Sequence, residues 1–278
     1  ITDVKQKNWV AISQQALPPV EAGRFVVHGS HDRAAVGGSI NAIEIDAGEA
    51  FGTAHHATTL GCLLAIDRLT RRPGFERVLD LGCGSGVLAI AAAYALPHAR
   101  VLASDIDPEA TRVARDNARL NGVGGRVKIV TAQGLESGQL RRGGPYDLLI
   151  ANILAGPLIM LAPKLRRIVA RGGRTVLSGL LETQAAEVTA AYRAAGFHLE
   201  RHDVIAGWAT LTLIAHGRDY SVRLQPPQAR GMNRSPRRTR QISSSPTPMS
   251  RNSSSLICVA APSAWRTGPG SGCTARPR

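Results

Sequence analysis

Between residues 77 and 217 the chain alternates short apolar runs with longer runs whose apolar residues recur at helical spacing. RVLDLGC at 77–83, RVLASDID at 100–107, RVKIVTA at 126–132, YDLLIAN at 146–152 and GRTVLSG at 173–179 are apolar on both faces, the pattern of strands covered from above and below in a parallel sheet. GVLAIAAAYAL at 86–96, DPEATRVARDNARLNG at 107–122, GPLIMLAPKLRRIVARGG at 156–173 and LLETQAAEVTAAYRAAG at 180–196 predict the intervening helices, several closed by glycine. This repeated strand–helix order predicts an α/β fold, a doubly wound and mostly parallel sheet. In FHLERHDVIAGWATLTLIAHG at 197–217 two β-like runs meet at an Ala-Gly turn, which predicts a terminal antiparallel hairpin that a plain dinucleotide fold does not need.

Gly82, Gly84 and Gly86 fall at the turn from the first strand of this sheet into its first helix. Ligands of such folds lie at the carboxyl ends of the strands, and glycines there let the backbone approach. Bare Gly-x-Gly-x-Gly also serves tight helix–strand packing, so the neighbouring residues decide. A dinucleotide fingerprint wants Gly or Ala where Val87 stands, and Asp80 would set a negative charge near a pyrophosphate. A serine-hydrolase elbow needs glycines at the places of Cys83 and Val87, and the Gly-Lys-Ser/Thr ending of a Walker loop is absent. S-adenosylmethionine fits what remains: it has no phosphate, and its ammonium and sulfonium suit the acid at Asp80. Asp105, closing the second strand, is placed to accept hydrogen bonds from both ribose hydroxyls. Asp107 precedes Pro108 and reads more simply as the N-cap of the next helix.

Charge and cysteine usage narrow the picture further. The net charge is +14, but residues 219–278 hold ten arginines against one acid, leaving only +5 on residues 1–218. That Arg/Ser/Pro-rich tail has neither helical nor strand period and predicts disorder. It suits a weak, sequence-independent RNA contact, although a segment outside the native reading frame is the favoured reading. No apolar run approaches the ~18 residues that span a bilayer, and the beginning, ITDVKQKNWV, lacks a signal-peptide pattern. A cytoplasmic protein without membrane contact is the expectation. Cys62, Cys83, Cys258 and Cys273 include no Cys-x-x-Cys pair, and adjacent His55 and His56 have no supporting ligand cluster, which predicts free thiols and no metal.

Six ordered segments carry a family resemblance: AFGTAHHATTLGCL, LDLGCGSGVLAIAA, SDIDPEA, RDNARLNGV, ANILAGPL and LSGLLETQ. Together, over about residues 8–217, the chain resembles the bacterial methyltransferases that modify the large-subunit ribosomal protein L11. The resemblance implies a class I, Rossmann-like S-adenosylmethionine-dependent fold. It implies methylation of lysine ε-amino groups and of the N-terminal amine of that ribosomal protein, up to the trimethyl state. By the family pattern Thr59, Gly82, Asp105 and Asn152 hold the cofactor, alongside Asp80, Gly84 and Gly86 from the residues themselves. The family usually has glycine where this chain has Ala54, and a positive φ there would strain the loop by about 1 kcal/mol. The family also carries a small N-terminal recognition domain. The chain begins at Ile1, so residues 1–22 are expected to be the remnant of its linker, residues 23–218 the catalytic domain and residues 219–278 the tail.

Asn152 is the candidate catalytic residue, ending the fourth strand where the sheet faces the transferred group. Its amide oxygen, with the backbone carbonyls of Ile153 and Leu154, could accept hydrogen bonds from an incoming amine. The competing reading makes Asn152 the N-cap of the following helix. No aromatic residue follows it in NILAG, which favours an aliphatic amine over a planar acceptor. Thr58 or Thr59 reads as a helix cap as well as a cofactor contact. Two alternatives stay open: a methyltransferase for ribosomal RNA or a small amine, and a non-enzymatic RNA-associated module using the tail.

Overall fold

In the computed structural model, which describes residues 19–36, 41–45, 57–135 and 137–216, the five apolar runs are neighbouring strands of one sheet. A small sheet comes first in the chain, from β1 (Val20–Ala22), β2 (Phe25–His28) and β3 (Ala42–Glu44), with a single helical turn, α1 (Arg33–Val36), between the last two. Then follow α2 (Ala57–Leu69), β4 (Arg77–Leu81), α3 (Val87–Ala95), β5 (Arg100–Asp105), α4 (Pro108–Leu120) and β6 (Val127–Thr131). The second half comprises α5 (Gly138–Gly143), β7 (Tyr146–Asn152), α6 (Ala155–Leu165), β8 (Val169–Leu181), α7 (Ala185–Ala194), β9 (Phe197–Ile205) and β10 (Trp208–Ala215).

The large sheet has the order β6-β5-β4-β7-β8-β10-β9. Its first five strands are parallel, and β10 is antiparallel to both β8 and β9. The order reverses direction between β4 and β7, so this pair is the topological switch point at which α/β folds open a crevice. Alternate side chains explain why the runs are apolar throughout. Val78, Val101, Leu148 and Val176 face a core shared with α2, α3 and the small sheet. Leu79, Leu102, Leu149 and Leu177 face the other core, closed by α6 and α7.

Several boundaries differ from the sequence reading. Val20–Ala22, inside the expected linker, is a strand paired with β2, and Ala22 is fully buried. The remaining linker residues 1–18 and the tail 219–278 lie outside the described residues. The helix expected to run from 156 to 173 stops at Leu165, because Ile168 and Val169, both β-branched, pair with β7: the Tyr146 N–H donates to the Ile168 carbonyl at 2.7 Å. Finally, Thr58 and Thr59 lie inside the first turn of α2 rather than capping it, and both are buried.

α4 fastens the site-bearing turn to the rest of the fold. Its buried face is Ala110, Thr111, Ala114, Asn117 and Ala118, a helical stripe with one amide in it. Asn117 Nδ2 donates to the Ser85 carbonyl at 2.9 Å, inside the glycine turn. One turn on, Asn121 bonds the backbone of Glu44 on both sides, accepting at 2.9 Å and donating at 2.7 Å. Asn117→Ala should therefore cost about 1–3 kcal/mol in urea unfolding, the penalty for a buried carbonyl left without its partner. An unchanged midpoint would show that the Ser85 carbonyl does not depend on Asn117.

Candidate active site

The crevice is built from the ends of β4, β5 and β7. After β4 the chain turns through Gly82, Gly84 and Gly86, with φ of +75°, +50° and +83°, a left-handed region that costs other residues about 1–2 kcal/mol each. The N–H groups of Gly82 and Cys83 both donate to the Ser104 carbonyl on β5, at 2.8 and 3.0 Å. Packing gives two of the three glycines a reason beyond the ligand approach expected of all three. A Cβ on Gly86 would lie 3.0 Å from Ala114 Cβ, so that glycine serves packing on α4. A Cβ on Gly82 would overlap Ile153 Cγ2, in the loop after β7.

Asp105 closes β5 and holds the other wall of the turn. Its Oδ2 accepts from the Gly84 N–H at 2.9 Å and its Oδ1 from the Asp107 N–H at 3.1 Å. The carboxylate is thus oriented by the backbone while each oxygen keeps a further lone pair for a ligand. Asp107 caps α4, accepting from the Glu109 N–H at 2.9 Å, with Pro108 in the first helical turn. Ile106 between them is 65% exposed, an apolar surface beside two acids.

Asp80, under the turn on β4, is fully buried, and among the described residues neither carboxylate oxygen has a hydrogen-bond partner. Burial pushes its pKa up to about 7; the Ala89 backbone N–H opposes the rise without completing a bond, and the charge of Asp105 adds to it. Around it the thiols of Cys62 and Cys83, both free and buried, are pushed up by burial and then by Asp80. An unpartnered carboxyl group inside a protein is expensive in its charged form, and a cation brought nearby would relieve that cost.

Asn152 ends β7 at the switch point. Its Nδ2 donates to Thr58 Oγ1 at 3.3 Å and Thr59 Oγ1 at 3.4 Å, on the first turn of α2. No described residue donates to its Oδ1, which is left to accept. Asn152 is therefore not a helix cap; Leu154 occupies that position for α6, with no side-chain bond. The Leu154 carbonyl accepts from the Leu158 N–H at 3.2 Å, so of the two backbone carbonyls proposed to meet an amine, this one is already turned into the helix. The Leu154 side chain is 71% exposed. Ala54, His55 and His56 lie outside the described residues, and among the described residues no group of three His, Cys, Asp or Glu side chains could hold a metal ion.

Gly179 on β8 is the residue that sequence reasoning missed. Its φ is +85°, and a Cβ there would stand 2.5 Å from the carbonyl oxygen and 2.9 Å from the nitrogen of Ile153. The Ile153 N–H in turn donates to the Ser178 carbonyl at 3.2 Å. The visible signal was a glycine inside an otherwise apolar strand, which marks close approach of another backbone.

A family model described as Ribosomal protein L11 methyltransferase (PrmA) matches residues 1–215. A ribosomal protein L11 methyltransferase of Bradyrhizobium diazoefficiens is 54% identical over 210 residues, 76% of this chain and 71% of that protein. One from Rhodopseudomonas palustris is 51% identical over 213 residues, 77% of this chain and 72% of its own length. Among solved structures, a ribosomal protein L11 methylase from Lactobacillus delbrueckii superposes with a TM-score of 0.64 at 29% identity, over 72% of this chain and 100% of that one.

The Asp80 environment sets a pH dependence. Its folded pKa of about 7 lies above the unfolded reference of ~3.9. Between those values the native chain keeps a proton that the unfolded chain has released, so native stability falls as pH rises through the window and levels off above it. Asp80→Asn removes this titration. In thermal melts without ligand, the melting temperature of the variant relative to the wild type should climb between pH 5 and 7.5. A difference that stays constant with pH would show that the carboxyl group is not held protonated by burial.

Proposed function

The chain belongs to the ribosomal protein L11 methyltransferase family, and from that premise we propose that it moves methyl groups from S-adenosylmethionine to the lysine ε-amino groups and the N-terminal amine of the large-subunit ribosomal protein L11. The observation that carries this reading is Asn152: an amide pinned by two threonines at the switch point, its oxygen accepting from no described residue, with no aromatic residue in the NILAG segment it opens. Such an acceptor suits an aliphatic amine, which needs its N–H groups oriented and no planar surface to stack on.

The residues present fit the cofactor. Asp105 offers two pre-oriented oxygens to a ribose diol, Ile106 an apolar face to a base, and the unpartnered Asp80 a negative charge for a cation. S-adenosylmethionine supplies the electrophilic methyl on a sulfonium. The chain supplies position and desolvation. A lysine amine, with a reference pKa near ~10.4, has to lose its proton before attack, and removal from water toward a positively charged neighbour favours the neutral form. Asn152 Oδ1 then orients the amine by accepting one of its N–H bonds, leaving the lone pair free to face the methyl. Thr58 and Thr59 act through Asn152, holding its amide plane.

Incubating the purified chain with S-adenosylmethionine and either ribosomal protein L11 or ribosomal RNA tests the acceptor. Mass spectrometry should find methyl increments on lysines and the N-terminus of the protein; increments on the RNA alone would overturn the assignment. Asp105→Ala should weaken cofactor binding at least tenfold in calorimetry, since charged hydrogen bonds are worth about 1.5–3 kcal/mol each. Unchanged affinity would remove Asp105 from the ribose role. Asn152→Ala should lower kcat more than cofactor affinity, because its oxygen is assigned to the amine. Equal loss of both would make it a cofactor residue only.

A further inference from the structure

The parallel strands have two ends, and the crevice uses one of them. At the opposite, amino-terminal edge lies a cleft of about 320 Å3 lined by Arg77, Arg100, Lys128 and Arg142, with Gln139 beside them. Arg77 and Arg100 open β4 and β5 and stand in register, on adjacent strands about 4.8 Å apart. Lys128 follows on β6, and Arg142 projects from α5.

No carboxylate answers these four cations among the described residues. Arg77 donates to the Gly144 carbonyl at 2.9 Å, and Asp147 spends its Oδ2 on the N–H groups of Glu76 and Arg77, each at 3.0 Å. Several arginines elsewhere in the domain are paired, Arg112 with Glu109 and Asp116, Arg24 and Arg71 with Asp67, and Arg174 with Glu200. Four like charges sharing one concavity repel each other unless an anion enters. The chemistry is that of phosphate recognition. Arg77, Arg100, Lys128 and Arg142 are exposed, and the one aromatic residue in the wall, Tyr146, is buried with its hydroxyl given to the Leu140 carbonyl at 2.6 Å. A small ligand would need convergent, fixed polar groups and an enclosing wall; a row of exposed cations instead tracks a charged backbone without reading bases.

We propose that this cleft binds the phosphodiester backbone of RNA, without sequence preference, on the sheet edge opposite the methyl-transfer crevice. RNA and cofactor then occupy separate ends of the same strands and do not compete. The site is distinct from the arginine-rich residues 219–278, which lie outside the described residues.

The test is fluorescence anisotropy of a short oligouridylate on the full chain, over a salt series. Replacing Arg77, Arg100, Lys128 and Arg142 together by Gln should weaken binding at least tenfold. It should also flatten the plot of log affinity against log salt by about 2 to 3, at roughly 0.7 per single-strand phosphate contact released. A control with the same net charge, Gln at the exposed Arg72, Arg167, Arg171 and Arg193, should change binding less than threefold. Cofactor affinity should be the same in both variants. Equal losses in the control, or displacement of the RNA by micromolar ATP, would overturn the proposal. Should the fourfold variant not fold, ultraviolet crosslinking of the wild-type chain decides: crosslinks should map to peptides carrying Arg77, Arg100, Lys128 and Arg142, and crosslinks confined to residues 219–278 would contradict it.

Discussion

The close approach of Ile153 to two glycines is the constraint on which the rest of the site depends. Its side chain fills the space where Gly82 would carry a Cβ, and its backbone fills the space where Gly179 would carry one. The loop after β7 is thereby wedged between the turn after β4 and the body of β8. Asn152 immediately precedes it, so the wedge fixes how far the amide reaches beyond the sheet. Any side chain at Gly82 or Gly179 would push that loop outward, and both positions also demand positive φ. Backbone geometry and packing select the same residue type twice.

Around this wedge the polar groups are arranged by the chain itself before any ligand arrives. Asp105 is aimed by two backbone N–H groups, Asn152 by two threonine hydroxyls, and the glycine turn by Asn117 from below. Asp80 is the exception. It has no hydrogen-bond partner among the described residues, and burial raises its pKa to about 7. Three oriented groups beside one carboxyl with no described partner make a site whose shape is settled and whose charge is not. The same contrast separates the two ends of the sheet: Asp105 and Asp107 lie at the carboxyl end of β5, while four bases with no ion-pair partner among the described residues line a cleft at the beginnings of the strands.

Much of this was legible because both-face burial leaves an unbroken apolar signature. YDLLIAN coincides with β7 residue for residue, and the turn signal at Ala206–Gly207 joins β9 to β10 in the expected hairpin. Three acids were legible too, since Asp80 and Asp105 sit near the ends of their strands and Asp107 sits at a helix start, which it caps. What escaped was set by contacts distant in the chain. Thr58 and Thr59 looked like caps because local spacing says nothing of Asn152, 93 and 94 residues away. The end of α6 was missed because helical periodicity continues through RRIVA while pairing with β7 draws Val169 into the sheet. A second reason for Gly86 was hidden as well, since its neighbour is Ala114 on a different helix.

The central claim is that the crevice between β4 and β7, walled by β5, holds the cofactor at groups already in place. Backbone amide hydrogen exchange with and without S-adenosylhomocysteine, which binds without reacting, addresses it directly. The account predicts protection gained at residues 82–86, 105–107 and 152–154, with the amino-terminal ends of β4, β5 and β6 unchanged. Protection gained at those amino-terminal ends, with none at the glycine turn, would contradict it.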